Sequence, residues 1–85
     1  MQINLLVEDV LGALQSELPP IFVRAEIPRL TGGLLRVGTL ANLGDDGPPF
    51  IRTRRHALYE RASFLRWLHG YLHATPAPSG LLYLQ

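Results

Sequence analysis

Three arginines lie almost next to one another near the middle of the chain, at Arg52, Arg54 and Arg55. The guanidinium group is planar, stays positively charged and donates hydrogen bonds in a fork that matches a phosphate group. The residues around them alternate loosely in hydropathy, which is typical of a β-hairpin with arginines at its tip. Such a hairpin can contact the phosphate backbone or the minor groove of DNA. The alternative interpretation is an ordinary solvated hairpin.

A second polar set lies upstream, in a short segment with helical periodicity. Its members are three residues apart and so share one side of a helix: Arg36, Thr39 and Asn42. In a DNA groove, Arg suits guanine, Asn suits adenine and the Thr methyl group can contact thymine. We expect these residues to form the exposed side of a recognition helix, and ordinary helix-surface polarity is the alternative.

The charges are distributed unevenly along the chain, although the formal net charge is only +1. Residues 1–50 carry three arginines against six acidic residues, whereas residues 51–85 carry five arginines against one acid, Glu60. This asymmetry predicts a basic face in the second half of the chain. Arg61 and Arg66 either extend that face as DNA-backbone contacts or pair with Glu60 or another acid.

No group of residues in the sequence has the pattern of an active site. We find no phosphate-binding glycine loop and no Ser/His/Asp signature, and the paired carboxylates of Asp45 and Asp46 lie in a turn. His69 and His73 have the i, i+4 spacing of half a zinc site, but the chain has no cysteine and no carboxylate lies on that turn. We therefore expect no enzymatic activity, no metal, no cofactor and no small-molecule substrate.

Length and composition are those of a small folded domain. Eighty-five residues, 47% of them hydrophobic, make one domain with a thin core, so a dimer interface or a partner can add to its stability. No apolar run approaches the roughly 18 residues of a membrane span, and nothing resembles a signal peptide. The absence of cysteine fits an intracellular protein, and we expect a cytoplasmic location.

The first half of the chain is predicted to be mostly helical. Apolar residues at spacings of three and four predict a helix over residues 1–18, which packs on the domain's own core or forms a dimer interface. A short apolar run at 21–23 is a strand or the lead-in to the next helix. Two short helices at 24–31 and 34–43 are separated by a glycine pair, so residues 24–43 follow the helix-turn-helix plan.

The second half combines a hairpin with a helix. Residues 44–49 are a loop by composition, 50–53 and 56–59 are predicted strands, and helical periodicity runs over 61–73. The predicted core positions of this half are Phe50, Tyr59, Phe64, Trp67 and Leu68. Residues 75–85 are a linker and an apolar tail, which is an edge strand, a contact to a partner or a frayed end.

Residues 47–68 resemble the excisionase-type, MerR-like winged helix-turn-helix domains of small phage and plasmid regulators. Those domains often read GPPF-I-K-x-G-R-R-V-x-Y, followed by a helix that ends in Trp-Leu. The matching residues here are Gly47, Pro48, Pro49, Phe50, Ile51, Arg52, Arg55, Tyr59, Arg61, Trp67 and Leu68. A weaker similarity upstream involves Glu26, Ile27, Gly33, Thr39, Leu40 and Asn42. The family pattern usually has a glycine where Arg54 stands, and a small polar or acidic residue at the start of the last helix.

The resemblance implies a mainly α fold with a small β-hairpin wing, that is, a winged helix-turn-helix with an added N-terminal helix. Residues 1–74 would form one domain. Within it, residues 1–18 would be the added helix, 24–43 the helix-turn-helix, 47–60 the wing and 61–73 the C-terminal helix.

Domains of this group bind DNA as regulators of recombination or transcription, and the resemblance implies the same function here. We expect a cytoplasmic, nucleoid-associated protein of bacterial or phage origin that binds specific double-stranded DNA as a dimer or in a cooperative array. The alternative is a non-catalytic protein-interaction module that assembles through the N-terminal helix or the C-terminal tail. The near-neutral net charge and Asp45-Asp46 favour this alternative, whereas the arginine cluster favours DNA binding.

Overall fold

The computed structural model describes residues 6–74, which are mainly helical and include a small antiparallel sheet of three strands. The elements in chain order are α1 (Val7–Glu17), β1 (Ile21–Val23), α2 (Ile27–Leu30), α3 (Val37–Leu43), β2 (Ile51–Arg52), β3 (Ala57–Glu60) and α4 (Arg61–Ala74). Two 3₁₀ turns, Arg24–Glu26 and Gly44–Asp46, precede α2 and follow α3. Among the described residues, no helix is long and apolar enough to cross a membrane. The predicted linker and apolar tail at 75–85 lie outside the described residues.

Helix α1 packs against α4 and contributes to the core. The helix predicted over residues 1–18 is confirmed from Val7 to Glu17, and the predicted residues 1–5 lie outside the described part of the chain. Near its start, the Asp9 carboxylate accepts a hydrogen bond of 3.0 Å from the backbone N–H of Leu6, which closes the first turn. Leu14 and Leu18 are buried at the other end. The apolar stripe of α1 is therefore used within the domain, as the first of its two interpretations expected.

The apolar run at 21–23 is a strand and adds a third strand to the predicted hairpin. β1 pairs with β3 so that Phe22 lies opposite Tyr59, and β3 also pairs with β2, which gives the strand order β1-β3-β2. The Phe22 and Tyr59 rings are stacked with centroids 6.0 Å apart, and Phe64 of α4 meets Phe22 edge-on at 5.3 Å. The expectation of a two-stranded wing was therefore incomplete, because three apolar residues have no periodicity that separates strand from helix.

The two helices on either side of the glycine pair are shorter than predicted, and α3 begins at Val37 rather than at residue 34. Pro28 is tolerated because it lies in the first turn of α2, where a backbone N–H would have no helical partner. Gly32 and Gly33 have φ values of 63° and 88°, which residues other than glycine rarely adopt. The chain then bends and buries Leu35 before α3 begins.

The core lies between the helices and the inner face of the sheet. Its buried hydrophobic residues are Leu14, Leu18, Phe22, Ile27, Leu35, Leu40, Ala57, Tyr59, Phe64 and Leu68. The predicted core positions Tyr59, Phe64 and Leu68 are confirmed, and Trp67 is partly buried. The prediction for Phe50 was wrong, since its side chain is 40% exposed. Phe50 precedes the edge strand β2, and its ring lies at the margin of the core against Tyr59, with centroids 5.7 Å apart.

Candidate nucleic-acid interface

The hairpin turn between β2 and β3 presents Arg54 and Arg55 at its tip. Thr53 donates its backbone N–H to the His56 carbonyl oxygen at 2.8 Å. The Thr53 hydroxyl also bonds to the backbone of His56: it accepts from the His56 N–H at 3.0 Å and donates to the His56 carbonyl oxygen at 3.1 Å. No residue other than glycine has a positive φ in the described part of the chain. Arg54 therefore stands in the turn without the positive φ that a glycine allows, and hydrogen bonds between Thr53 and His56 close the turn.

The turn end of the hairpin and the segment after β1 line a shallow basic cavity of about 180 Å³. Its charged or titratable lining residues are Arg24, Arg52, Arg55 and His56, and Val37 at the start of α3 closes one side. No acidic side chain among the described residues lines this cavity. A concave surface with three guanidinium groups and no carboxylate attracts anions, because the positive potentials add within it.

Arg24 is held in place by the sheet. Its Nε–H donates to the Tyr59 hydroxyl at 2.8 Å, and its guanidinium carbon lies 4.9 Å from the centre of the Phe50 ring. Hydrogen bonding and the cation–π contact fix the side chain, so that its charge is pre-positioned at the cavity. Nothing in the sequence pattern singled out Arg24, because its role depends on the pairing of β1 with β3.

The eight arginines of the chain fall into two groups by their contacts. Four donate hydrogen bonds within the domain: Arg24 to Tyr59, Arg29 to Glu26, Arg61 to Leu18 and Arg66 to Ser63. Within residues 6–74 the other four are exposed and make neither a hydrogen bond nor an ion pair through their side chains: Arg36, Arg52, Arg54 and Arg55. All four belong to the segments predicted from sequence to contact DNA. Their charges are free to meet an external anion.

The predicted reading residues Arg36, Thr39 and Asn42 are all exposed. Arg36 is the extended N-cap residue of α3, and the other two lie within the helix at intervals of three, so that they share a side. Leu40 is buried on the opposite side and anchors α3 to the core. Because Val37, the residue after Arg36, lines the basic cavity together with Arg52 and Arg55, the start of α3 and the turn end of the wing adjoin each other.

Arg61 and Arg66 lie elsewhere. They line a groove between α1 and α4 rather than the basic cavity. The Arg61 guanidinium donates to the Leu18 carbonyl oxygen at 3.1 Å, just beyond the end of α1. Arg66 is 3.5 Å from the Ser63 hydroxyl. These two predicted backbone contacts are therefore not brought together with the wing arginines.

Glu60 caps the start of α4 with its side chain. Its carboxylate accepts from the backbone N–H groups of Ala62 and Ser63 at 2.7 and 3.1 Å and from the Ser63 hydroxyl at 2.8 Å. These hydrogen bonds, the one from Ala62 above all, lower the pKa of the Glu60 carboxyl below its ordinary value of 4.5. The nearby Arg66 guanidinium lowers this pKa slightly further.

The acidic pair between α3 and the wing is held against α4 through the backbone of Asp46. The indole N–H of Trp67 in α4 donates to the Asp46 carbonyl oxygen at 2.8 Å, which holds the 3₁₀ turn against α4. Neither Asp45 nor Asp46 lines the basic cavity. The two carboxylates, whose negative charge opposes DNA binding, thus lie outside this cavity.

Comparisons with protein-family models, with curated proteins and with solved structures find no match for this chain.

Proposed function

We propose that this chain binds double-stranded DNA through the face formed by α3 and the wing (residues 47–60). The observation that carries the proposal is the division of the arginines. The four that have no side-chain partner within residues 6–74 are those on this face, and beside them lies a cavity lined by basic and apolar residues. Unpaired guanidinium groups on one surface favour phosphate binding, because neutralising phosphates releases condensed counterions.

The proposed binding mode is that of a winged helix-turn-helix. α3 has seven residues, about 10 Å of helix, and would enter the major groove, which is about 12 Å wide. Arg36, Thr39 and Asn42 would then face base edges. Arg54 and Arg55 would follow the flanking minor groove or backbone, and Arg52 and Arg24 would hold a phosphate at the cavity.

The role that fits this face is that of a small transcriptional regulator or an excisionase-like accessory protein in recombination. A single module of this size covers only about 600–1,000 Å² of interface, so a specific site requires a dimer or a cooperative array. In this proposal the protein acts without catalysis or cofactor, on the nucleoid of a bacterial cell and in a phage-related setting.

The test is a mobility-shift titration with mixed genomic duplex fragments at about 50 and 200 mM salt. We expect a shift that weakens steeply with salt and that survives nonspecific competitor DNA for some fragments only. Absence of a shift at the lower salt concentration, with a folded protein by circular dichroism, would contradict the proposal.

A charge-matched pair of variants sharpens the test. Arg55→Ala removes an unpaired arginine of the wing, and Arg29→Ala removes an exposed arginine that forms an ion pair with Glu26. We expect Arg55→Ala to weaken binding about fivefold near 150 mM salt and to reduce the slope of log K against log salt by about 1. Arg29→Ala should leave both quantities nearly unchanged, and equal effects of the two variants would argue for nonspecific attraction.

A second candidate function is a protein-interaction module, which the outer face of the sheet favours. Ile21 and Ile51 are 56% and 71% exposed there, and strand pairing places Leu58 next to Ile51. If DNA binding is absent, the first partner to test for this apolar face is a second copy of the chain. Sedimentation would then show a dimer that Ile51→Ser dissociates.

A further inference from the structure

Three metal-ligating side chains meet at the end of the domain opposite the Arg61–Leu18 contact. Glu8 lies in the first turn of α1, and His69 and His73 lie near the end of α4. One ligand atom from each of the three lies within 4.8 Å of the other two, and the two imidazole ring centroids are 4.5 Å apart. The sequence offered only the histidine pair, and the antiparallel packing of α1 on α4 adds the carboxylate.

We propose that Glu8, His69 and His73 form a binding site for a zinc-type divalent cation. Two imidazole nitrogens and one carboxylate oxygen are a ligand set that Zn²⁺ accepts, with water in the fourth position. Ligands at about 2.0–2.1 Å from a tetrahedral metal are roughly 3.4 Å apart. The three side chains must therefore close by an ångström or so, and because all are exposed they do this by turning side-chain bonds.

The three ligands are available to a metal. Within residues 6–74, none of their side chains makes a hydrogen bond or an ion pair, and the contact between the two imidazole rings is compatible with both facing one ion. The i, i+4 spacing keeps both rings on one side of α4. Binding thus breaks no existing polar contact of the described fold.

Metal binding would fasten the two helices at their second end. α1 and α4 run antiparallel, and at one end the Arg61 guanidinium already joins them by its hydrogen bond to Leu18. An ion held by Glu8 and the two histidines would join them at the other end. Since the unfolded chain does not preorganise these ligands, the binding free energy would add to the stability of the folded state.

The experiment uses the untagged full chain after removal of metals with a chelator, and Zn²⁺ as the probe. We expect one Zn²⁺ per chain by calorimetry, and a rise in Tm on the order of 10 °C with Zn²⁺ at about 100 times its Kd. Co²⁺ should give the intense visible absorption of a four-coordinate site.

Variants separate the three-residue site from weaker alternatives. His69→Gln, His73→Gln and Glu8→Gln should each lower the affinity at least about tenfold while the metal-free Tm stays close to that of the wild type. Glu17→Gln and His56→Gln, which change an acid and a histidine outside the cluster, should leave Zn²⁺ affinity unchanged. Wild-type affinity in Glu8→Gln would overturn the site between the helices, and wild-type affinity in the histidine variants would overturn any site here.

Discussion

The wing face and the α1–α4 groove both carry arginines, yet the fold uses them in opposite ways. On the wing face, Arg52, Arg54 and Arg55 are exposed and donate to no other residue of the described chain. In the groove, Arg61 donates to a backbone carbonyl and Arg66 lies beside Ser63. Arg66 is also close enough to Glu60 to lower the pKa of its carboxyl. The same residue type is thus a free cation in one region and a structural donor in the other.

This difference shows that the number of arginines in a segment does not tell how many of their charges are free to bind an external anion. All five arginines of the second half of the chain contribute equally to its basic balance. Only the fold shows that two of them donate hydrogen bonds within the domain, Arg61 to the Leu18 carbonyl oxygen and Arg66 to the Ser63 hydroxyl. Substitutions in the two regions should therefore affect different measurements.

The largest effect on stability is expected from Arg61→Ala. It removes a charge-assisted hydrogen bond to the Leu18 carbonyl, so the free energy of unfolding should fall by about 1–2 kcal/mol. DNA affinity measured well below the Tm should stay within about twofold of the wild type, a small free-energy difference. Thermal unfolding and mobility shift test the two halves of this prediction.

Arg66→Ala is the control for that variant, since it removes the same charge from the same helix. Its contact to Ser63 is long, at 3.5 Å, so it should destabilise the fold less than Arg61→Ala. A strong loss of DNA affinity in either variant, without loss of stability, would show that the α1–α4 groove belongs to the binding face.

The sequence predicts most of the fold because the elements have strong local signals. Helical periodicity defines α1 and α4, and two glycines with positive φ mark the turn before α3. The exposed positions of Arg36 and Arg54 also follow from the pattern. These features depend on a few neighbouring residues, which a sequence shows directly.

What the sequence could not predict depends on contacts between distant segments. Arg24 joins the basic cavity because β1 pairs with β3, and its donor contact to Tyr59 spans 35 positions. Glu8 approaches the histidine pair only because α1 packs antiparallel to α4. A single sequence carries no signal for such pairings, since neither periodicity nor turn chemistry extends across them.

A smaller and more local effect is expected from Thr53→Val. The change keeps the shape and the β-branching but removes the hydroxyl that bonds to both the N–H and the carbonyl oxygen of His56. The free energy of unfolding should fall by about 0.5–1 kcal/mol, and DNA affinity should fall a few-fold because the arginines at the tip lose their fixed position.

Thr53→Ser keeps the hydroxyl and is the matched control for the wing turn. It should retain DNA affinity close to that of the wild type in the same mobility-shift titration. If Thr53→Val and Thr53→Ser behave alike, the hydroxyl does not order the tip, and the wing arginines bind as a flexible pair.

The smallest effect is expected at Glu60, between the two regions, and it depends on pH. The folded pKa of Glu60 lies below its ordinary value of 4.5 because the carboxylate accepts hydrogen bonds from Ala62 and Ser63. Its contribution to stability is therefore fully present above about pH 4.5 and is lost as the pH falls through the folded pKa.

Glu60→Gln has no such titration, although both proteins share the titration of all other carboxyls. On acidification from about pH 7 to about pH 3, the Tm of the wild type should therefore fall more than the Tm of Glu60→Gln. A difference between the two Tm values that stays constant over this range would mean that the cap at the start of α4 does not depend on the charge of Glu60.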